Sequence, residues 1–176
     1  KLALSGARPL VLERGSKVDE RVAKVAAFTR DGALDPESNI QFGEGGAGTF
    51  SDGKLNTNIH NPRCVTVLEE FVRAGAPEEI LWQAKPHIGT DHLTGAVKNI
   101  RRKIESLGGE VRFGTRLVDI TVNATNQLTG ITVESASGRE EIAADTLILA
   151  TGHSARDTFK MLHQVGATLT QKAFSI

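Results

Sequence analysis

Residues 145–152 read DTLILATG. The run Leu147–Ala150 is apolar without alternation, which predicts a strand covered on both faces, Asp145–Ala150, of the kind that parallel sheets contain. The run ends in Thr151-Gly152, where small side chains let backbone approach a ligand closely. Ser154 and Asp157 follow at capping-box spacing and predict a helix over Ala155–Gln164 that stops at Gly166. In an open α/β sheet, ligands sit beyond the carboxyl ends of such strands.

Upstream of this strand the hydrophobic period is two. Leu117–Val122, Gly130–Glu134 and Arg139–Ile142 read as a three-stranded antiparallel meander, with turns at Asn123–Thr129 and Ser135–Gly138. Glu110–Phe113 is a further strand. Before it, Leu93, Val97, Ile100, Ile104 and Leu107 fall on one face of a helix, Leu93–Leu107, capped by Asp91 and ended by Gly108-Gly109. Asn61-Pro62 opens another helix that stops at Gly75, and Pro77–Trp82 is a short helical turn. The first elements are a buried parallel strand, Pro9–Glu13 (PLVLE), and a helix, Val18–Phe28, with Val18, Val22, Val25 and Ala26 on its apolar face.

The composition narrows the function. The chain has 176 residues, 39% of them apolar, with 21 basic and 21 acidic residues. Such a balance argues against a nucleic-acid or membrane-surface binder, whose affinity rests on excess positive charge. No stretch approaches the roughly 20 apolar residues of a membrane span. Cys64 is the lone cysteine, so neither a disulfide framework nor a Cys–Cys redox pair is available. A soluble, cytoplasmic protein is expected, and any electron transfer requires a bound cofactor. Residue 1 is Lys, Lys1–Gly6 reads as the tail of a helix, and Lys172–Ile176 reads as a strand just beginning. Both ends are therefore expected to be cut from a longer chain.

Three places carry chemistry. Glu13 ends a parallel strand, where a carboxylate can accept hydrogen bonds from both ribose hydroxyls of an adenosine; Arg14 flanks it. Asp31–Asn58 is a long polar stretch with five glycines in Gly43–Gly53. Its Gly43–Gly48 segment fits G-x-G-x-x-G but follows no strand, and the acidic ribose ligand precedes it instead of following about 20 residues later. Its Gly48–Lys54 segment fits most of a phosphate-binding loop, but Leu55 replaces the magnesium-holding hydroxyl, so a phosphate-binding NTPase is rejected. Interleaved Phe42, Phe50 and Leu55 argue for a packed segment that brings backbone to a flat or anionic ligand. The third place is Leu147–Asp157, where His153 and Arg156 stand near the strand end. Lys85 and His87, with His153, are candidate catalytic residues; no metal cluster is visible.

The order of elements resembles the FAD-binding domain of glutathione-reductase-like flavoproteins. Four blocks carry a more specific resemblance: GARPLVLERG (6–15), LDPESNIQFGEGGAGTFSDGKLNT (34–57), AGAPEEILWQAKPHIGTDHL (74–93) and LATGHSARDTFKML (149–162). They are similar to a bacterial family of FAD-dependent dehydrogenases, or NAD(FAD)-utilising oxidoreductases. The resemblance implies an α/β, Rossmann-like fold with parallel strands and an antiparallel meander, and FAD held non-covalently. It also implies that the first βα unit, with its glycine-rich turn, precedes residue 1, leaving a partial FAD-binding domain over residues 1–168. Residues 55–91 would be a helical insertion, and residues 169–176 the start of a truncated substrate domain. Carried over, Glu13 binds the adenosine ribose, Gly45, Gly46, Gly48 and Thr49 lie along the pyrophosphate and flavin, the Leu117 backbone meets the adenine, and Thr151 and Gly152 close over the cofactor. The implied activity is oxidation or reduction of a small-molecule substrate, with NAD(P)H as candidate electron donor. A non-catalytic flavin-binding module is the alternative, and this stretch alone is expected to be inactive.

Overall fold

A computed structural model describes residues 1–57 and 59–173. They form two compact units that divide after Gly114.

The first unit opens with a 3-10 turn, Ala3–Ser5, closed by Gly6 at φ 87°. Strand β1 (Leu10–Leu12) follows, then helix α1 (Val18–Asp31). Helix α2 (Arg63–Arg73), a 3-10 turn at Glu78–Leu81 and helix α3 (Thr90–Ser106) lead to strand β2 (Glu110–Arg112). Strands β1 and β2 pair in parallel, with Leu10 opposite Glu110 and Leu12 opposite Arg112. The parallel strand expected at the N-terminal end is thus present, although Val11 is exposed rather than buried. Helix α2 begins one residue later than expected, with Pro62 in the cap position, and Asn61 just before it accepts the Arg63 N–H on Oδ1 at 2.9 Å. The core of this unit gathers Ala76, Ile80, Ile88 and Leu93, with Leu68, Phe71 and Val72 of α2 packed on it.

Two helical expectations need correction. Helix α1 does not bury Val22 or Ala26; it buries Val18 and Arg21, and Val22 stands exposed. The face is turned because the Arg21 guanidinium serves backbone carbonyls that would otherwise lack a partner. Asp91 does not cap α3. The helix starts at Thr90, three residues before the expected Leu93, with Gly89 at φ 82° in the cap position and Asp91 in the first turn, where its charge still faces the positive end of the helix dipole.

The second unit is a meander with a helix. Strands β3 (Arg116–Val122), β4 (Leu128–Ser135) and β5 (Gly138–Ala143) lie antiparallel in that order. The alternation on β4 buries Ile131 and Val133. Helix α4 (Arg156–Gln164) packs against β3 and buries Thr158, Met161 and Leu162.

The strand expected over Asp145–Ala150 is not formed. Among the described residues no strand pairs with it, and Ile148 and Leu149 are 69% and 45% exposed. An apolar run becomes a strand only where a neighbour takes its backbone hydrogen bonds. The expected capping box also fails: no side chain caps α4, Ser154 lies 3.4 Å from the His153 ring, and Asp157 turns to the Thr158 N–H and to Arg116. Lys172 and Ala173 are not in a strand, and the rest of the strand expected there lies outside the described residues. No helix among the described residues is long and apolar enough to cross a membrane.

Candidate functional site

The end of β1 carries Glu13. Its N–H continues the ladder to Arg112 O at 2.9 Å, and its Oε1 accepts the Gly15 N–H at 2.7 Å. The carboxylate is therefore aimed by the turn that follows the strand. A carboxylate oxygen keeps capacity for further donors after one such bond.

The stretch Asp31–Asn58 is tied down along its described length. Asp35 accepts the N–H groups of Glu37 and Ser38 at 2.9 and 3.2 Å and pairs with Lys24 at 2.8 Å. The Lys24 hydrogen bond, helped by these amides, holds the Asp35 carboxyl below its ordinary value. Arg14 pairs with Glu37, its Nε 2.7 Å from Oε2, and stacks 4.8 Å from the Phe42 ring centroid. Arg14 thus serves to anchor this stretch.

Arg21 is fully buried. Its Nε donates to Asn39 O at 2.7 Å, its Nη2 to Ile40 O at 2.8 Å, and its Nη1 to Glu44 O at 2.8 Å and Gly43 O at 3.3 Å. The Phe50 ring lies 4.9 Å from the guanidinium. Burial lowers the Arg21 pKa to about 10, opposed by the Glu13 carboxylate, so the group stays charged at neutral pH. Glu44, also buried, accepts the Val18 N–H at the start of α1 at 2.7 Å and pairs with Arg101 Nε at 2.7 Å. A carboxylate at a helix N-terminus answers both the orphan amide and the dipole.

Glu13, Glu44 and Arg101 border one cavity of about 390 Å³, within the range of roughly 300–1,000 Å³ that small-molecule sites occupy. Val11 and Val111 line it from the sheet, and Val97, Ile100 and Ile104 from α3. Glu13, Gly45, Gly48 and Lys54 bring the polar groups. Gly45 has φ 89°, and a methyl there would collide with the Thr49 hydroxyl and with Val97. Among the described residues that buried hydroxyl has no hydrogen-bond partner.

The structure therefore brings Glu13, Gly45 and Gly48 to one cavity. Thr49 lies directly behind Gly45, and Gly46 (φ 67°) ends the turn before a 3-10 turn, Ala47–Phe50. Among the described residues no strand leads directly into this run. Lys54 and His87 form an isolated antiparallel bridge, and Lys85 and His87 are exposed. In the second unit, Leu117 pairs with Val133 in β3–β4, Thr151 is half-buried, and Gly152 (φ 71°) and His153 are exposed. Among the described residues no group of three metal-ligating side chains gathers. The sequence reading missed Arg21, Glu44 and Arg101. Arg21 had a signal, three residues after Val18 on the same helical face; Glu44 is the one charged residue within Gly43–Gly48.

No family profile matches the chain. A curated protein of Clostridium beijerinckii, itself described as uncharacterized, is 50% identical over 175 residues, which are 99% of this chain and 32% of the relative. The chain thus spans about a third of the length of the curated relative it matches. In fold it is similar to Thermovibrio ammonificans THI4, at 15% identity over 92% of this chain and 63% of that one, with a TM-score of 0.51. It is also similar to the open conformation of a flavocytochrome c3 fumarate reductase, at 14% identity over 92% of this chain and 40% of that one, with a TM-score of 0.50. The fold, a mixed α/β arrangement with one parallel and one antiparallel sheet, is therefore one that flavoproteins use.

Proposed function

We propose that this chain belongs to an FAD-dependent oxidoreductase acting on a small-molecule substrate, with FAD bound non-covalently and NAD(P)H as candidate electron donor. The observation that carries the reading is the meeting of Glu13 and the glycine turn Gly43–Gly48 on one cavity. A carboxylate at the carboxyl end of a parallel strand suits the ribose of an adenosine. Gly45 and Gly48 let backbone approach a flat or anionic group, and the apolar walls from α3 and the sheet suit a ring system. The Thr49 hydroxyl behind Gly45, which has no partner among the described residues, supplies one further polar group.

FAD, when bound, supplies the redox chemistry, and the protein binds and orients it. In this reading Glu13 accepts the ribose hydroxyls, while Gly45, Gly46, Gly48 and Thr49 follow the pyrophosphate and flavin. In the second unit Leu117, Thr151 and Gly152 are the proposed cofactor contacts. Lys85, His87 and His153 are the candidates for proton transfer to or from substrate.

The test is the visible absorption of the purified full-length protein. Flavin bands that bleach on addition of NAD(P)H are expected, and denaturation should release free FAD. A colourless protein from which no flavin is recovered, and which takes up none when FAD is added, overturns the reading.

A further inference from the structure

We propose that Arg21 is a positioning residue: without touching the ligand, it fixes the shape of the glycine turn and thereby sets ligand affinity. The inference rests on the flavin reading above for the identity of the ligand.

Asn39 O and Ile40 O belong to the loop entering the turn; Gly43 O and Glu44 O belong to the turn itself. All four converge on one guanidinium, whose planar fork of five donors can serve several acceptors in fixed directions. Gly45, on the cavity wall, is the next residue along the chain. The fit between turn and clamp is tight, since a Cβ at Gly43 would lie 2.5 Å from Arg21 Cδ. The other side of the turn is held through Glu44, whose carboxylate bridges the Val18 N–H and Arg101. The Phe50 ring covers the guanidinium from beyond the turn, at 4.9 Å.

A clamp of this kind leaves carbonyls turned onto the protein and amides available elsewhere. Among the described residues the N–H groups of Gly45, Ala47 and Gly48 have no protein acceptor. Gly45 and Gly48 both line the cavity. A lysine at position 21 cannot reproduce the clamp, because an ammonium is a point charge with three donors and no planar fork. The turn would then sample other conformations, and ordering it would be charged to ligand binding.

The test compares Arg21→Lys with Ile131→Ala in the full-length protein. Ile131 is buried in the second unit, opposite Ile120 and Ile142, so its truncation lowers stability without touching the turn or a proposed cofactor contact. Flavin dissociation constants and amide hydrogen exchange over residues 39–49 are measured for both. Arg21→Lys is expected to weaken flavin binding at least tenfold and to speed exchange over 39–49. Ile131→Ala is expected to leave both unchanged at a similar loss of melting temperature. Flavin affinity within twofold of wild type in Arg21→Lys, or equal weakening in Ile131→Ala, overturns the proposal. If Arg21→Lys does not fold, Gly43→Ala displaces the clamp from the opposite side and should weaken flavin binding similarly; unchanged affinity there also overturns it. A wild-type protein that binds no flavin defeats the flavin reading instead, and the exchange measurement then decides the clamp: slow exchange retained over 39–49 in the variants overturns it.

Discussion

Gly15 and Gly43 cross backbone to backbone: a Cβ on Gly15 would lie 2.6 Å from the Gly43 Cα and 2.7 Å from its nitrogen. The turn that carries the chain out of β1 is thus pressed against the start of the glycine run. Neighbouring bonds reinforce the crossing, with Glu44 N–H donating to Ser16 O at 3.1 Å and Ser16 N–H to Ser38 Oγ at 3.2 Å. Glu13 and the glycine turn, far apart in sequence, are held together by this contact.

Gly15→Ala should therefore destabilise the first unit. The obstacle is backbone, which cannot swing aside as a side-chain tip can, so a loss of about 1–3 kcal/mol is expected, the range for overpacking. Urea denaturation measures it. Wild-type stability in this variant would show that the two segments do not cross so closely.

Glu44→Ala removes the partner of Arg101 and orphans the Val18 N–H. Both groups of the pair are largely buried, with side-chain exposures of 7% and 13%. Breaking such a pair costs about 3 kcal/mol or more, because a buried charge is left behind. Arg101 retains Glu105 at 3.7 Å, which limits the loss. Glu44→Gln keeps the shape and an acceptor for the amide, so it should cost less than Glu44→Ala. Equal losses for the two variants would mean that the charge carries the whole contribution and the retained shape and amide acceptor none.

Asp35 predicts an acid-sensitive loop. Its carboxyl is held below the ordinary value of 3.8, first by the Lys24 hydrogen bond and then by the Glu37 and Ser38 amides. A depressed folded-state value means that the contribution is present above the unfolded value and is lost as pH falls through the folded one. Wild type and Asp35→Asn should differ in stability at neutral pH, begin to converge as pH falls through about 3.8, and meet only below the lower folded-state value. Denaturation across a pH series checks this. A gap that stays constant into acid would remove Asp35 as its source.

Much of the fold is legible in the sequence because period and punctuation agree. The meander announces itself by alternation, and α2 by Asn61-Pro62 and Gly75. What fails to appear from sequence depends on partners distant along the chain. DTLILA has every internal mark of a strand, yet forms none without a neighbouring ladder. Arg21 reads as a solvated charge on an amphipathic helix, and only the four carbonyls from 39–44 reveal why it is buried while Val22 is not. The site was legible in outline, since Glu13 and the glycine run stand out by residue type. Their meeting at one cavity was not, because it depends on the Gly15–Gly43 crossing.

Glu13→Ala tests the ribose end of the proposed site. The carboxylate lines the cavity and is aimed by the Gly15 N–H at 2.7 Å. Removing it would leave ribose hydroxyls without acceptors, at a cost of roughly 1–3 kcal/mol of FAD affinity. The same substitution also frees the Gly15 N–H, so a general loosening of the turn must be separated from a lost ligand contact. Riboflavin and FMN make the separation, because neither carries an adenosine. If Glu13 acts on the adenosine ribose, Glu13→Ala should weaken FAD alone and leave the weaker binding of FMN unchanged. If the turn loosens as a whole, all flavins should suffer alike. Glu13→Gln, which keeps an acceptor for Gly15, should fall between wild type and Glu13→Ala for FAD. Equal weakening of FAD and FMN, or no weakening of either, would take Glu13 out of the ribose site.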